Sequence, residues 1–185
     1  MNLPQRKSAR LKHCDYGTPG AYFITICIRD RHCILSEIVG EGLGPPAVQL
    51  MPYGQIANDQ IASLAMRFPS TRVEKYVIMP NHIHFILRLC AADCVAGGAV
   101  STGGASPAPT VIDVVRVFKS TTTRLCGTGP GLFQRSFHDH VIRDEQDYRR
   151  IWEYIDTNPL HWAEDCFYMA PGEIVGEGLG PPVRR

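Results

Sequence analysis

Tyr76-Val-Ile-Met-Pro-Asn-His82-Ile-His84-Phe-Ile-Leu-Arg-Leu89 is the stretch on which the fold turns. It reads as a buried β-strand, expected over about Val73 to Leu89, with two histidines one residue apart. Side chains at i and i+2 of a strand point to the same face. His82 and His84 therefore project together, with apolar Ile83, Phe85 and Leu87 on the other face. Two imidazoles on one rigid sheet face make half of a divalent-metal site.

Outward from this strand the chain reads as an alternation of strands and helices. Ala21 to Ile28 (AYFITICI) is a strand rich in β-branched and aromatic residues, after a turn at Gly17-Thr-Pro-Gly20. A helix is expected over about Tyr53 to Met66, with Ile56, Ile61, Leu64 and Ala65 toward the core. A second helix follows over about Val111 to Leu125. A short strand near Ser136 to Ile142 then leads into a third helix from about Glu145 to Asn158, with Asp144 as N-cap and Pro159 as stop.

That third helix supplies the second half of the site. Tyr148, Ile151, Trp152 and Ile155 fall at i, i+3, i+4 and i+7, a buried stripe. Tyr154 lies off the stripe near its edge, and Asn158 is one turn further along the same face. A phenol with an ordinary pKa near 10 is a weak nucleophile at neutral pH. A divalent cation can polarise a phosphodiester and neutralise developing charge, so that tyrosine attack gives a covalent phosphotyrosine and a free 3′-hydroxyl. Two imidazoles and one amide oxygen leave positions open for phosphate and water, a mixed set suited to Mg²⁺ or Mn²⁺. His138 and His140 form a rival pair on one strand face, but no helix of matching spacing precedes them; His140 is read as structural or phosphate-facing.

The bulk numbers are those of one ordinary globular domain: 185 residues, 44% hydrophobic, 20% charged and net charge +1. A global basic signature for nucleic acid is missing, yet basic residues cluster. Arg6, Lys7, Arg10 and Lys12 form an N-terminal patch, and Arg149 and Arg150 another. Arg116, Lys119, Ser120, Thr123 and Arg124 share one face of the second helix. Such faces are most often simply solvated; the functional reading is contact with phosphates. No stretch approaches 18 uncharged apolar residues and no signal-peptide pattern is visible, so no membrane role and a cytoplasmic location are expected. Seven irregularly spaced cysteines point to reduced thiols. A zinc site built on Cys90 and Cys94 would need four well-spaced ligands.

Two stretches do not read as fold. Residues 91–109 are rich in Ala, Gly, Ser and Pro without a period, as in a linker or loop. The decapeptide EIVGEGLGPP occurs at Glu37–Pro46 and again at Glu173–Pro182. Its Gly and Pro content argues for exposed loop, and its identity argues for a short repetitive DNA element inserted twice. The expected organisation is one domain over 1–165, with loop insertions near 37–46 and 91–109, and a tail over 166–185.

The ordered set of segments resembles the single-tyrosine HUH transposases, most closely the REP-associated tyrosine transposases. The resemblance rests on Arg6-Lys-Ser-Ala-Arg-Leu-Lys12 with Asp15-Tyr16, Tyr22-Phe-Ile-Thr-Ile26, Val77-Ile-Met-Pro-Asn-His-Ile-His84, Val117-Phe-Lys-Ser120, Phe133-Gln-Arg-Ser-Phe-His-Asp-His-Val-Ile-Arg143 and Tyr154-Ile-Asp-Thr-Asn-Pro159. It implies a ferredoxin-like α+β fold, an antiparallel sheet with helices packed on one face and the histidine motif on a central strand. It implies that His82 and His84 hold the metal and that Tyr154 is the nucleophile; Asn158 stands where the wider family places a polar helix ligand. The implied substrate is single-stranded DNA with hairpins, contacted by Arg6, Lys7, Arg10, Lys12, Arg116, Lys119, Arg124 and Arg150. Either a homodimer or a monomer fits. The alternatives are a hairpin-binding protein that does not cleave and a metal-dependent phosphoesterase using water; an amidohydrolase fits less well, for want of further dense His and Asp.

Overall fold

A computed structural model describes residues 17–40, 46–91, 109–129 and 131–169. The N-terminal patch of Arg6, Lys7, Arg10 and Lys12, the linker over 92–108 with Cys94, and the second decapeptide copy lie outside the described residues. Among the described residues are six strands, β1 (Gly20–Cys27), β2 (Ser36–Val39), β3 (Ala47–Leu50), β4 (Thr71–Ile78), β5 (His82–Leu89) and β6 (His138–Ile142), with helices α1 (Pro52–Ala62), α2 (Leu64–Arg67), α3 (Val111–Cys126) and α4 (Glu145–Thr157). A 3-10 segment, Asn158–Glu164, continues from α4.

The fold is α+β. Four antiparallel strands run in the order β4-β5-β1-β6, so the histidine strand is central, and β2 and β3 form a separate hairpin. The apolar run expected as one strand is a hairpin of two. Met79 N–H donates to His82 O at 2.9 Å, closing a two-residue loop of Pro80 and Asn81. Proline has no N–H for a central ladder, so Pro80 breaks the run where the chain must reverse. Two strands at the same time give β5 a partner on both sides.

The sheet has two unlike faces. Tyr22, Ile24 and Ile26 of β1 and Ile83, Phe85 and Leu87 of β5 meet Ala57 and Ile61 of α1 and Val114, Val115 and Phe118 of α3 in the main core. Phe118 is fully buried; burying such a side chain stabilises by about 1.5–3 kcal/mol. Thr110 caps α3 in a box with Asp113, and Gly127 ends it at φ 67°. These two helices cover one face, but helices are not confined to it as expected, because the other face is apolar enough to bury a second layer. The other face carries Ala21, Phe23 and Ile86, and α4 lies over it through Ile151 and Ile155. Asp144 caps α4 by accepting from Asp147 N–H at 2.8 Å.

Helix α1 is shorter than its sequence pattern. It stops at Ala62, Ser63 breaks it, and Ala65 in the following α2 is exposed rather than inward. Gly54 lets α1 approach the chain at Leu35 closely: a Cβ there would fall 1.9 Å from Leu35 O. The first decapeptide copy is also not all loop. Glu37, Ile38 and Val39 belong to β2 and pair with Gln49, Val48 and Ala47. Its Gly and Pro residues hid a strand of β-branched residues at its start.

Candidate active site

His82 and His84 begin β5, on the face covered by α4 and the residues after it. Both are buried, His82 at 0% and His84 at 2% exposure. The Asn81 amide decides which His82 nitrogen is left for a ligand, whereas His84 faces a hydroxyl that can accept or donate. Asn81 Nδ2 donates to Arg31 O at 3.1 Å and Phe167 O at 2.8 Å, which makes its Oδ1 the acceptor for His82 Nδ1–H at 2.9 Å. His84 Nδ1 lies 2.8 Å from Thr25 Oγ1, its cross-strand neighbour in the ladder. His82 carries its proton on Nδ1, and where His84 does the same by donating to Thr25 Oγ1, both imidazoles turn an Nε2 lone pair toward one spot, the arrangement that metal-binding histidines use.

Burial, followed by the nearby Arg31 guanidinium, holds the His82 pKa down at about 3. Burial and then His82 push His84 well below the ordinary value, with Asp165 opposing. Both imidazoles are therefore neutral at physiological pH, as ligands must be.

Three further groups converge. Tyr154 Oη is 3.4 Å from His84 Nε2, and its ring meets those of His84 and Phe23 edge-on. Asn158 is buried and donates through Nδ2 to Asp165 Oδ2 at 3.0 Å. Asp165 Oδ1 accepts Phe167 N–H at 2.7 Å. Ligand atoms of His82, His84 and Asp165 all lie within 4.8 Å of one another. Burial raises the Tyr154 phenol to about 12, helped by the charge of Asp165 and by Cys166 and opposed by the hydrogen bond from Asn158.

The site fits a divalent cation on its own evidence. His82 Nε2 and Asn158 Oδ1 are buried with no hydrogen-bond partner. The Asp165 side chain is 3% exposed, and among the described residues the one basic group within ion-pair distance is His82, whose Nε2 is 4.0 Å away and neutral. Buried carboxylates and orphaned acceptors are expensive unless a cation or donor meets them. A His-His-Asp group that could hold a metal thus sits beside the tyrosine and the amide.

Aromatic rings wall the site. Phe167 and Trp162 lie 4.7 and 5.9 Å from the His82 ring, centroid to centroid. Asp165, Thr25 and Asn81 were not foreseen from the sequence. Asn81 had a signal, since it is half of the hairpin loop that places His82. Thr25 is found only through the β1–β5 register, and Asp165 carries no periodic signal at all.

The expected DNA-contact residues that are described fall in two places. Arg116, Lys119 and Arg124 line one cavity of about 980 Å³ beside α3, on the sheet face away from the histidines. The Lys119 ammonium is directed at Gln134 O, Arg135 O and Ser136 O, at 2.5, 3.0 and 3.5 Å, so it pins that segment. Arg150 pairs with Asp147 at 2.6 Å on exposed α4. His140, of the rival pair, also meets Asp147 at 2.6 Å; neither it nor His138 joins the tyrosine.

The same architecture and sequence recur elsewhere. No family model matches the chain. An uncharacterized protein of Haemophilus influenzae is 33% identical over 178 residues, covering 90% of this chain and 95% of that protein. A solved structure of a REP-associated tyrosine transposase bound to a REP hairpin superposes with a TM-score of 0.55 at 19% identity, covering 95% of this chain and 100% of the other. By sequence this chain belongs to one family with the Haemophilus protein, and by fold it resembles the REP-associated tyrosine transposase.

Proposed function

We propose that this protein cleaves and rejoins single-stranded, hairpin-associated DNA through a covalent 5′-phosphotyrosine on Tyr154, as in DNA transposition in the cytoplasm. The observation that carries this reading is the convergence of two unpartnered acceptors, His82 Nε2 and Asn158 Oδ1, with a tyrosine hydroxyl 3.4 Å from His84 Nε2. The hairpin bound to the transposase of like fold supports DNA of that kind as the partner.

His82, His84 and Asn158 would hold Mg²⁺ or Mn²⁺, with Asp165 adjacent. When bound, the cation supplies charge that polarises the phosphodiester and offsets the burial and negative charge that keep Tyr154 protonated. The chain's own residues do the rest. Asn81 fixes the His82 tautomer, the Thr25 hydroxyl can accept from His84 Nδ1–H, and α4 holds the phenol at the ligand pair. Tyr154 Oη attacks phosphorus, the bond from phosphorus to the 3′-oxygen breaks, the phenolic proton passes to water, and the departing 3′-oxygen takes a proton from water to become a hydroxyl. The phosphodiester energy is kept in the tyrosyl ester, so a second 3′-hydroxyl can reverse the step and rejoin a strand.

The test mixes purified protein with labelled hairpin oligonucleotides from the DNA flanking its gene, in Mg²⁺ or Mn²⁺, on a denaturing protein gel. Label at the protein's mass, lost in Tyr154→Phe and without metal, is the expected result. Cleaved DNA without an adduct indicates a phosphoesterase. Tight binding with no cleavage indicates a hairpin-binding protein.

A further inference from the structure

Beyond the last residue of β1 the chain does something unusual. Asp30 and Arg31 are consecutive and both take φ 57°, in the left-handed region. Glycine enters that region freely and aspartate at modest cost, but arginine seldom does, so Arg31 is held there by its surroundings, which marks a place where the chain must aim a group. The group aimed is Arg31. Its Nη1 donates to Cys166 O at 3.1 Å, and its guanidinium carbon lies 5.3 Å above the Phe167 ring. Phe167 in turn abuts His82. Arg31 therefore stands at the threshold of the candidate active site.

The cavity beside α3 lies on the opposite face of the sheet. It is lined by Arg29, Arg116, Lys119, Arg124 and Arg135 with no acidic residue, over an apolar floor that includes Phe133 and Phe137. A second hollow of about 620 Å³ is lined by Arg29, Asp30, Arg31, Gln134, Arg135 and Met169. The two share Arg29, Gln134 and Arg135, so the surface between them is continuous. The shared strip is built firmly. Arg29 N–H donates to Leu132 O and Gln134 N–H to Cys27 O, both at 2.9 Å, extending the end of β1. Gly131, at φ 132°, leaves room for the Arg29 side chain, since a Cβ there would come within 2.8 Å of Nη2. Cys27, at that end of β1, is the ladder partner of His82. The strip thus turns the end of the sheet where the histidines begin.

We propose that Arg135, Arg29 and Arg31 form a track for the sugar–phosphate backbone of single-stranded DNA, leading from the α3 cavity around this end of the sheet to Tyr154. Guanidinium groups suit phosphates because each offers several N–H donors in a fixed fork. A duplex is too wide and too stiff to round the end of one sheet, whereas a single strand bends freely, so the track selects the unpaired part of the substrate. The proposal takes its ligand from the DNA reading above but needs none of the cleavage chemistry.

The test measures binding by fluorescence anisotropy in EDTA over a range of salt, with fluorescein-labelled dT16 and a duplex of equal length. Arg29→Gln and Arg135→Gln are each expected to lower the slope of log affinity against log salt for dT16 by about 0.7, the value of one single-strand phosphate contact. Duplex binding should stay unchanged, and Arg135→Lys should keep most of the slope because it keeps the charge. Equal losses on duplex and dT16, or no change in slope in either glutamine variant, overturn the track. Circular dichroism melting of each variant confirms the fold. A protein that forms no tyrosine adduct but shows these slopes retains the track as a binding protein.

Discussion

Thr25→Val replaces a hydroxyl with a methyl of equal size at a buried position, so no cavity is made. What it removes is the hydroxyl 2.8 Å from His84 Nδ1, the acceptor for the tautomer that leaves Nε2 to a cation. The imidazole then has two choices. It can keep its proton on Nδ1, leaving a buried donor unpaired at about 1–3 kcal/mol. Or it can move the proton to Nε2, where Tyr154 Oη at 3.4 Å can accept it, and lose the lone pair that would face a cation. Without metal the second choice relieves most of the penalty, so metal-free stability should fall by only about 1 kcal/mol, the net worth of one hydrogen bond. With metal the first choice is forced, and the unpaired donor appears as lost affinity. A penalty of about 1–3 kcal/mol is roughly a 5- to 150-fold weaker site at about 1.4 kcal/mol per tenfold, in line with the effect usual for a group that orients a ligand. Calorimetric titration with Mn²⁺, beside thermal melting in EDTA, reads both quantities. If the variant binds metal within about twofold of the parent while its metal-free melting falls, Thr25 merely packs, and the tautomer argument for His84 is wrong.

Two further outcomes follow from the same geometry. Gly54→Ala should lower stability by at least about 1–3 kcal/mol, the usual effect of overpacking, because the added Cβ meets backbone at Leu35 rather than a flexible side chain; an unchanged urea midpoint would show that α1 can shift freely. Metal-free protein should lose stability as pH falls below about 6.5. The unfolded chain protonates its histidines there, whereas folded His82 holds off until about 3 and His84 is lowered likewise. The stability these groups contribute is full above 6.5 and is lost toward acid, with a slope approaching about 1.4 kcal/mol per pH unit for each. A melting temperature that stays flat from pH 7 to 5, above the range of the carboxylates, would contradict the neutral, buried state of the pair.

Much of this was legible because strands alternate. His82 and His84 could be assigned to one face, and Ile83, Phe85 and Leu87 to the other, from spacing alone, and the structure shows that division. The helix stripe of Tyr148, Ile151, Trp152 and Ile155 was visible for the same reason, though only the two isoleucines are buried, as was the place of Tyr154 off that stripe. Registers were not visible. Nothing near His84 in sequence names Thr25, which lies 59 residues away. Apolar continuity also concealed the reversal at Pro80 and Asn81, since both strands of the hairpin are apolar at their joined ends. Asp165 follows a 3-10 segment with no repeating pattern, so only the folded chain brings it under His82. The N-terminal basic patch and the repeat at Glu173–Pro182 lie outside the described residues.

The two halves of the site are anchored unequally. Strand β5 is laddered on both sides, by β4 and β1, and its far face is sealed in the main core. Helix α4 is held by the small apolar patch of Ile151 and Ile155, with Tyr148 and Trp152 partly packed beside them, and by the half-exposed contacts of Tyr148 with Glu74 and of Asp156 with Lys75. Proteins open in cooperative units of unequal free energy, and a helix resting on a small apolar patch opens before a central strand does. The histidines are therefore expected to exchange their amide protons later than the tyrosine does. A helix that lifts as a unit could present its phenol, give up the attached strand and settle again without disturbing the ligands beneath it.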